Sequence, residues 1–212
     1  MMFEAYLLTL LGVMAAQASP GPNFIAVVSV ALAQGRSAAL WVVAGVSTGM
    51  LVWSLATAYG LATVLEWFPW SLNAMRIVGG GYLLWLAAKG IRAAIEDKPG
   101  TVKASDKVLS NSQAYARGLL VLVTNPKAVM MWAAVATFLF GAGLSPAQVF
   151  AFGPAGAVSG FVIYGIYAFL FSTGLAARTY AKFSRWFEVA FGAAFGALGG
   201  KLLFDGVREL RS

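Results

Sequence analysis

Two short motifs concentrate the residues that could do chemistry: Ser19-Pro20-Gly21-Pro22-Asn23, and Thr124-Asn125-Pro126-Lys127. A proline inside a helix removes one backbone hydrogen bond and clashes with the carbonyl four residues back, at a cost of about 3 kcal/mol or more. Pro20 and Pro22 around Gly21 therefore predict a broken helix, and Pro126 predicts another. In apolar surroundings the freed amides and carbonyls must face protein or a wet cavity. Asn23 and Asn125 stand beside the two breaks and can both donate and accept. Half-helix N-termini attract carboxylates and broken C-termini attract cations, so such a pair of poles suits a zwitterion. The plainer alternative is a pair of kinks that shapes a bundle, with each Asn capping freed amides. Two breaks in corresponding positions favour a substrate path.

Lys127 adds a charge to this setting. A lysine at the centre of a span costs roughly 2.5–3.5 kcal/mol on insertion scales. It follows Arg117 by about ten residues, or about 15 Å of helix, which leaves a long way to snorkel. It reads as a counter-charge for a substrate carboxylate or as a titrating group in coupling. Other chemistry is excluded by what is missing. The chain has no Cys and no His, so disulfides, thiol redox relays, soft-metal sites and Ser-His hydrolysis are out. A Ser19–Lys127 dyad is conceivable, but no oxyanion donor or water gate accompanies it. We therefore expect no enzyme activity, no catalytic residue, no cofactor and no bound metal. An exporter of metal or other inorganic ions on a similar six-helix plan is the alternative. Hard cations want several carboxylate oxygens, and no predicted span centre holds Asp or Glu.

The elements that must position these motifs are apolar. Of 212 residues, 60% are hydrophobic and only 11% are charged, against roughly 25% charged in a soluble domain. Mean hydropathy is +0.78. The net charge is +7, but the basic residues cluster between apolar runs, which reads as membrane topology rather than nucleic-acid binding. The pattern predicts an all-α membrane protein of six transmembrane helices, at 5–33, 38–65, 72–95, 113–141, 146–176 and 184–208. Ala16-Gln17-Ala18 resembles a signal-peptide cleavage site, but Glu4 precedes it and the apolar run continues to Ala33, so cleavage is not expected.

The two halves echo each other. Pro22 and Pro126 are 104 apart, while Gly80 to Gly192 and Lys89 to Lys201 are each 112 apart. A repeated unit of three spans must be inverted. We read residues 1–95 as the first three-helix repeat, 96–112 as a mobile cytoplasmic linker and 113–212 as the second repeat. Helices one and four are the ones broken at proline. Orientation follows the basic residues. Ten lie on the linker side: Arg36, Lys89, Arg92, Lys98, Lys103, Lys107, Arg117, Arg178, Lys182 and Arg185. Four lie opposite: Arg76, Lys201, Arg208 and Arg211. The linker is thus cytoplasmic and both termini are outside. Arg76, Lys89, Glu188 and Lys201 read as helix-end anchors. Gly45 with Gly49, and Gly192 with Gly196, have the spacing of close helix contacts, within the subunit or across a homodimer. Trp67 and Trp70 around Pro69, with Trp186, read as an aromatic belt.

The motifs, with Gly-Gly-Tyr-Leu-Leu-Trp-Leu at 80–86, Gly118-Leu119-Leu120 running into Asn125–Ala128, and the pattern from Gly192 to Leu203, resemble the LysE/RhtB superfamily of bacterial amino-acid exporters, in particular its RhtB branch. The resemblance covers essentially the whole chain. It implies efflux of amino acids or small derivatives across the bacterial inner membrane, driven by proton antiport. It also implies that Pro20, Gly21, Pro22, Asn23, Asn125, Pro126 and Lys127 form the transport core, to which their neighbours Ser19 and Thr124 are added. The chain departs from the family at Met130-Met131-Trp132-Ala133, where an aromatic-rich run is common, and at Phe138-Leu139-Phe140, which lacks the usual Pro-Gln-Phe. A dibasic substrate would favour a carboxylate in the first spans, and none lies between Glu4 and Glu66. A neutral zwitterion is therefore the expected cargo.

Overall fold

The computed structural model describes residues 2–68, 70–96, 103–173 and 175–210. Pro69, Lys98, Pro99, Gly100 and Arg211 lie outside the described residues, as do the side chains of Arg178, Lys182, Arg185 and Glu188. Among the described residues there are only helices: α1 (Met2–Ala18), α2 (Pro22–Leu55), a π-helical stretch (Ala56–Leu61), α3 (Ala62–Trp67), α4 (Ser71–Ile95), α5 (Asn111–Val123), α6 (Pro126–Gly141), α7 (Pro146–Phe171) and α8 (Leu175–Glu209).

Local chemistry sets the starts of α2, α5, α6 and α7. α5 and α7 open on capping boxes, Ser110 with Gln113 and Ser145 with Gln148. α2, α6 and α7 have proline in the first turn, where its missing N–H is no loss. α2 is kinked at Gly35, whose φ of +80° suits glycine. Its residues 22–34 are thus the second half of the first predicted helix, and its remainder is the second. Helix six was expected from 184, but α8 begins at Leu175. Arg178, Lys182 and Arg185 read as loop charges, yet their backbone is helical.

By length and composition, Pro22–Leu61 and Pro146–Phe171 are long and apolar enough to cross a membrane, and α5 with α6, bent by 58°, counts as a third if taken as one span. This is fewer than the six expected, because α1 is short and α4 and α8 carry charges along their length. The surface is apolar: on α7, Val158, Phe161, Val162, Ile166, Phe169 and Leu170 all face outward. Buried polar residues include Gln17, Ser19, Asn23 and Asn125. Apolar outside with polar groups within is the arrangement a bilayer favours.

The helices approach closely at glycines. A Cβ at Gly45 would lie 2.0 Å from the Tyr115 carbonyl oxygen, and one at Gly118 2.0 Å from that of Val42, so α2 and α5 touch backbone to backbone. Gly192 meets Ala87 and Ile91 on α4. The Gly45 and Gly192 contacts are therefore made inside the subunit. Pro154 inside α7 deprives the Phe150 carbonyl of its usual donor, and the Ser54 hydroxyl supplies one at 3.2 Å. Residues 103–110, expected to be mobile, are held against the first half of α2. Ser105 N donates to Ser29 O at 2.9 Å, Leu109 N to Gln34 Oε1 at 2.9 Å, and Arg117 reaches Ser105 and Ser29.

Candidate functional site

The ends of four helices meet between the two proline motifs. α1 stops at Ala18, α2 starts at Pro22, α5 stops at Val123 and α6 starts at Pro126. Asn125 Nδ2 donates to Asn23 Oδ1 at 3.3 Å, which ties the second motif to the first. Asn23 Nδ2 reaches the Tyr164 hydroxyl on α7 at 3.4 Å.

Lys127 crosses to the end of α1. Its Nζ donates to the Ser19 carbonyl at 3.3 Å, to the Pro20 carbonyl at 3.4 Å and to the Ser19 hydroxyl. The same ammonium stands 5.6 Å from the centre of the Phe195 ring on α8. Ser19 Oγ passes the interaction on to the Ala16 carbonyl at 3.0 Å. A cation on the terminal carbonyls of a helix is where the helix dipole favours one.

The first turn of α2 has no side-chain cap. Gly21, at its N-cap, lies beside the Lys127 ammonium: a Cβ there would stand 3.4 Å from Nζ, so the positive end of the α2 dipole and the cation adjoin. α6 differs: Asn125 Oδ1 accepts from Lys127 N at 3.0 Å and caps that helix locally.

Among the described residues, Lys127 adjoins three cavities. A polar one of about 20 Å³ is lined by Gln17, Ser19, Gly21, Asn23, Asn125, Lys127 and Tyr164, among others. That is room for about one water. A second, of about 250 Å³, includes Pro20, Pro22, Tyr82, Trp85, Lys89, Pro126 and Phe195. A third, of about 470 Å³, runs between α1, α4, α6 and α8 and includes Ala5, Leu83, Phe138, Phe195 and Lys201. Lys127 lines all three, while Lys89 lines the second and Lys201 the third.

Eight of the nine residues expected at the site line one or more of these cavities. Thr124 lines none of them: it is exposed, and its hydroxyl turns back onto the Leu120 carbonyl at 2.7 Å. Three residues were not anticipated. Gln17, only 1% exposed, donates to the Gly156 carbonyl at 2.9 Å and accepts from Ser159 at 2.9 Å. Tyr167 donates to the Ala18 carbonyl at 2.7 Å, and Tyr164 faces Asn23. A lone glutamine in an apolar run was the available signal for Gln17. The tyrosines sit three apart on one face of α7, which the apolar character of that helix masked.

The family model for the LysE type translocator matches residues 14–206. A "Threonine efflux protein" of Escherichia coli is 28% identical over 189 residues, covering 88% of this chain and 91% of that one. A "Leucine efflux protein" of Klebsiella pneumoniae is 32% identical over 127 residues, 60% of this chain and 59% of that one. An uncharacterised membrane protein of Haemophilus influenzae is 25% identical over 215 residues, 99% of both chains. No solved structure matches the chain.

Proposed function

The chain belongs to the LysE type translocator family, and we propose that it exports amino acids or small amino-acid derivatives, as neutral zwitterions, across the bacterial inner membrane in exchange for protons. It is a translocator and not an enzyme. The relatives named for threonine and leucine efflux support an amino-acid cargo. The observation that carries the reading is the junction of the two helix breaks, joined by the Asn23–Asn125 hydrogen bond, with Lys127 between cavities on either side.

In this reading the nine motif residues, Ser19 to Asn23 and Thr124 to Lys127, form the substrate region, Thr124 by ending α5. The substrate carboxylate enters between Lys127 and the uncapped first turn of α2. It draws the ammonium away from the Ser19 and Pro20 carbonyls, which then accept from the substrate's own ammonium. Charge is balanced at each pole. The polar cavity of about 20 Å³ is too small for an amino acid, so the helices must part to admit one. Six spans in two inverted repeats provide that motion by rocking. Packing of α4 on α8 and of α2 on α7 supports the repeat, since each is the counterpart of the other. The linker side is cytoplasmic, by its excess of basic residues, so the Lys89 cavity is the entry and the Lys201 cavity the exit. Lys127 is the group at the junction that could exchange a proton.

The test is efflux from cells fed dipeptides, which load the cytoplasm with amino acids. Cells making the protein should accumulate amino acid outside severalfold faster than cells without it, and collapsing the proton gradient should remove the difference. No excess efflux of any amino acid from protein shown to be in the membrane refutes the reading.

A further inference from the structure

We propose that the cavity of about 470 Å³ between α1, α4, α6 and α8 holds the side chain of the substrate, and that the protein therefore selects amino acids with large apolar side chains over small or hydroxylated ones. The proposal rests on the export reading above and names its substrate class.

The argument is one of volume and lining. Leu83, Leu86, Met131, Phe138, Phe195 and Leu198 dominate the wall. Thr9, Lys127 and Lys201 are its polar members, and Lys201 is engaged with Asp205 at 2.8 Å. A dry apolar cavity of about 150 Å³ is already enough to take a benzene ring. This one is about three times as large, so a leucine or phenylalanine side chain fits and an alanine methyl would leave most of it empty. A threonine hydroxyl placed there would lose its water against a wall whose polar members are only Thr9, Lys127 and Lys201, which is costly wherever it does not reach one of them.

The position of Lys127 selects the occupant. Lys127 lines both this cavity and the polar one, and its ammonium stands 5.6 Å from the ring of Phe195, itself a wall residue of this cavity, so a ligand suited to both carries an anion at one end and an apolar body at the other. A carboxylate bound at Lys127 puts its α-carbon at the mouth of the apolar cavity. A lipid acyl chain would fill the apolar volume equally well, and the test separates the two.

The experiment uses proteoliposomes preloaded with one labelled amino acid at a time: leucine, phenylalanine, alanine or threonine. Leucine and phenylalanine should leave at least about tenfold faster than alanine and threonine, since a single methylene in an apolar pocket discriminates by about tenfold or more. Ala134→Phe, at a half-buried position on the cavity wall, should reduce the leucine-to-alanine ratio about tenfold. A ratio is independent of how much protein inserts. Equal or faster transport of alanine and threonine by the unmodified protein overturns the proposal and leaves the export reading intact. An unchanged ratio in Ala134→Phe also overturns it and assigns the cavity to lipid. Transport of none of the four also overturns this proposal, while the export reading falls only if the dipeptide-fed cells show no excess efflux of any amino acid.

Discussion

The two proline breaks look alike in sequence and are finished in different ways. The second is closed by its own residues. Thr124 N and Oγ1 return to the Leu120 carbonyl, Asn125 N to that of Leu122, and Asn125 Oδ1 caps α6. At the first, Ser19 N and Oγ return to the Ala15 and Ala16 carbonyls, but the remaining closure comes from across the fold. The Ser19 and Pro20 carbonyls depend on Lys127, the Ala18 carbonyl on Tyr167, and Asn23 on Asn125 and Tyr164. A break that satisfies itself is a hinge or a joint. A break completed by other helices can be opened when those helices move, and its polar groups are then offered to a substrate. In the proposed export cycle this difference would make the first break the place of binding and the second the arm that brings Lys127 and Asn125 to it.

The sharpest way to break this comparison is to remove the delivered cation. Lys127→Ala should reduce efflux of a preloaded amino acid to the background of protein-free membranes. It should also lower stability by about 1.5–3 kcal/mol, the range for hydrogen bonds to a charged group, because the α1 carbonyls lose a donor. Lys127→Arg should rescue poorly, since a planar fork does not replace a compact ammonium beside Gly21. Normal efflux by well-folded Lys127→Ala would remove the residue from the site.

A smaller effect is expected at the asparagines, and it should be unequal. Asn125→Ala removes the cap of α6, worth about 1 kcal/mol, and the link to Asn23, so the loss should approach about 2 kcal/mol. Asn23→Ala removes side-chain hydrogen bonds alone, at about 0.6 kcal/mol each between membrane helices. Denaturation in detergent measures both. Coupling in the double variant should return about the energy of the shared hydrogen bond. Equal losses, with no coupling, would mean that the two breaks are equivalent after all.

How much of this was legible in sequence follows from where each bond is made. The helix stops at 18–22 and 124–126 were readable because proline acts on its own backbone. The turn near Gly35 was readable from the composition around Arg36. Lys127 stood out because an intramembrane charge is costly wherever it points. The asymmetry between the breaks was not readable, because it depends on side chains more than 100 residues apart, such as Lys127 on Ser19. The hold of Ser105, Leu109 and Arg117 on α2 was hidden for the same reason. Those residues read as a solvated linker until the helix they lie against is known. The tyrosines of α7 were silent because one face of an apolar helix looks much like another.

Those tyrosines provide the finest test. Tyr167 donates to the Ala18 carbonyl at 2.7 Å, and its ring meets Phe24 edge-on at 4.9 Å. Tyr167→Phe keeps the ring and its packing and removes only the hydroxyl. The Ala18 carbonyl, at the end of α1, then has lost the donor that α7 supplied. Hydrogen bonds between membrane helices average about 0.6 kcal/mol and reach about 1.7, and this short bond to a helix-terminal carbonyl should lie in the upper half of that range, near 1 kcal/mol. Tyr164→Phe is the matched control. Its hydroxyl accepts from Asn23 at 3.4 Å, a long contact to a side chain that keeps Asn125 as a partner, so its loss should be under about 0.5 kcal/mol. Thermal unfolding in detergent should rank Tyr167→Phe below Tyr164→Phe, and efflux should fall in the same order as α1's end becomes less well held. If Tyr167→Phe is as stable as the unmodified protein, the Ala18 carbonyl does not depend on its donor from α7, and the first break's closure from across the fold reduces to Lys127 and the Asn23 contacts.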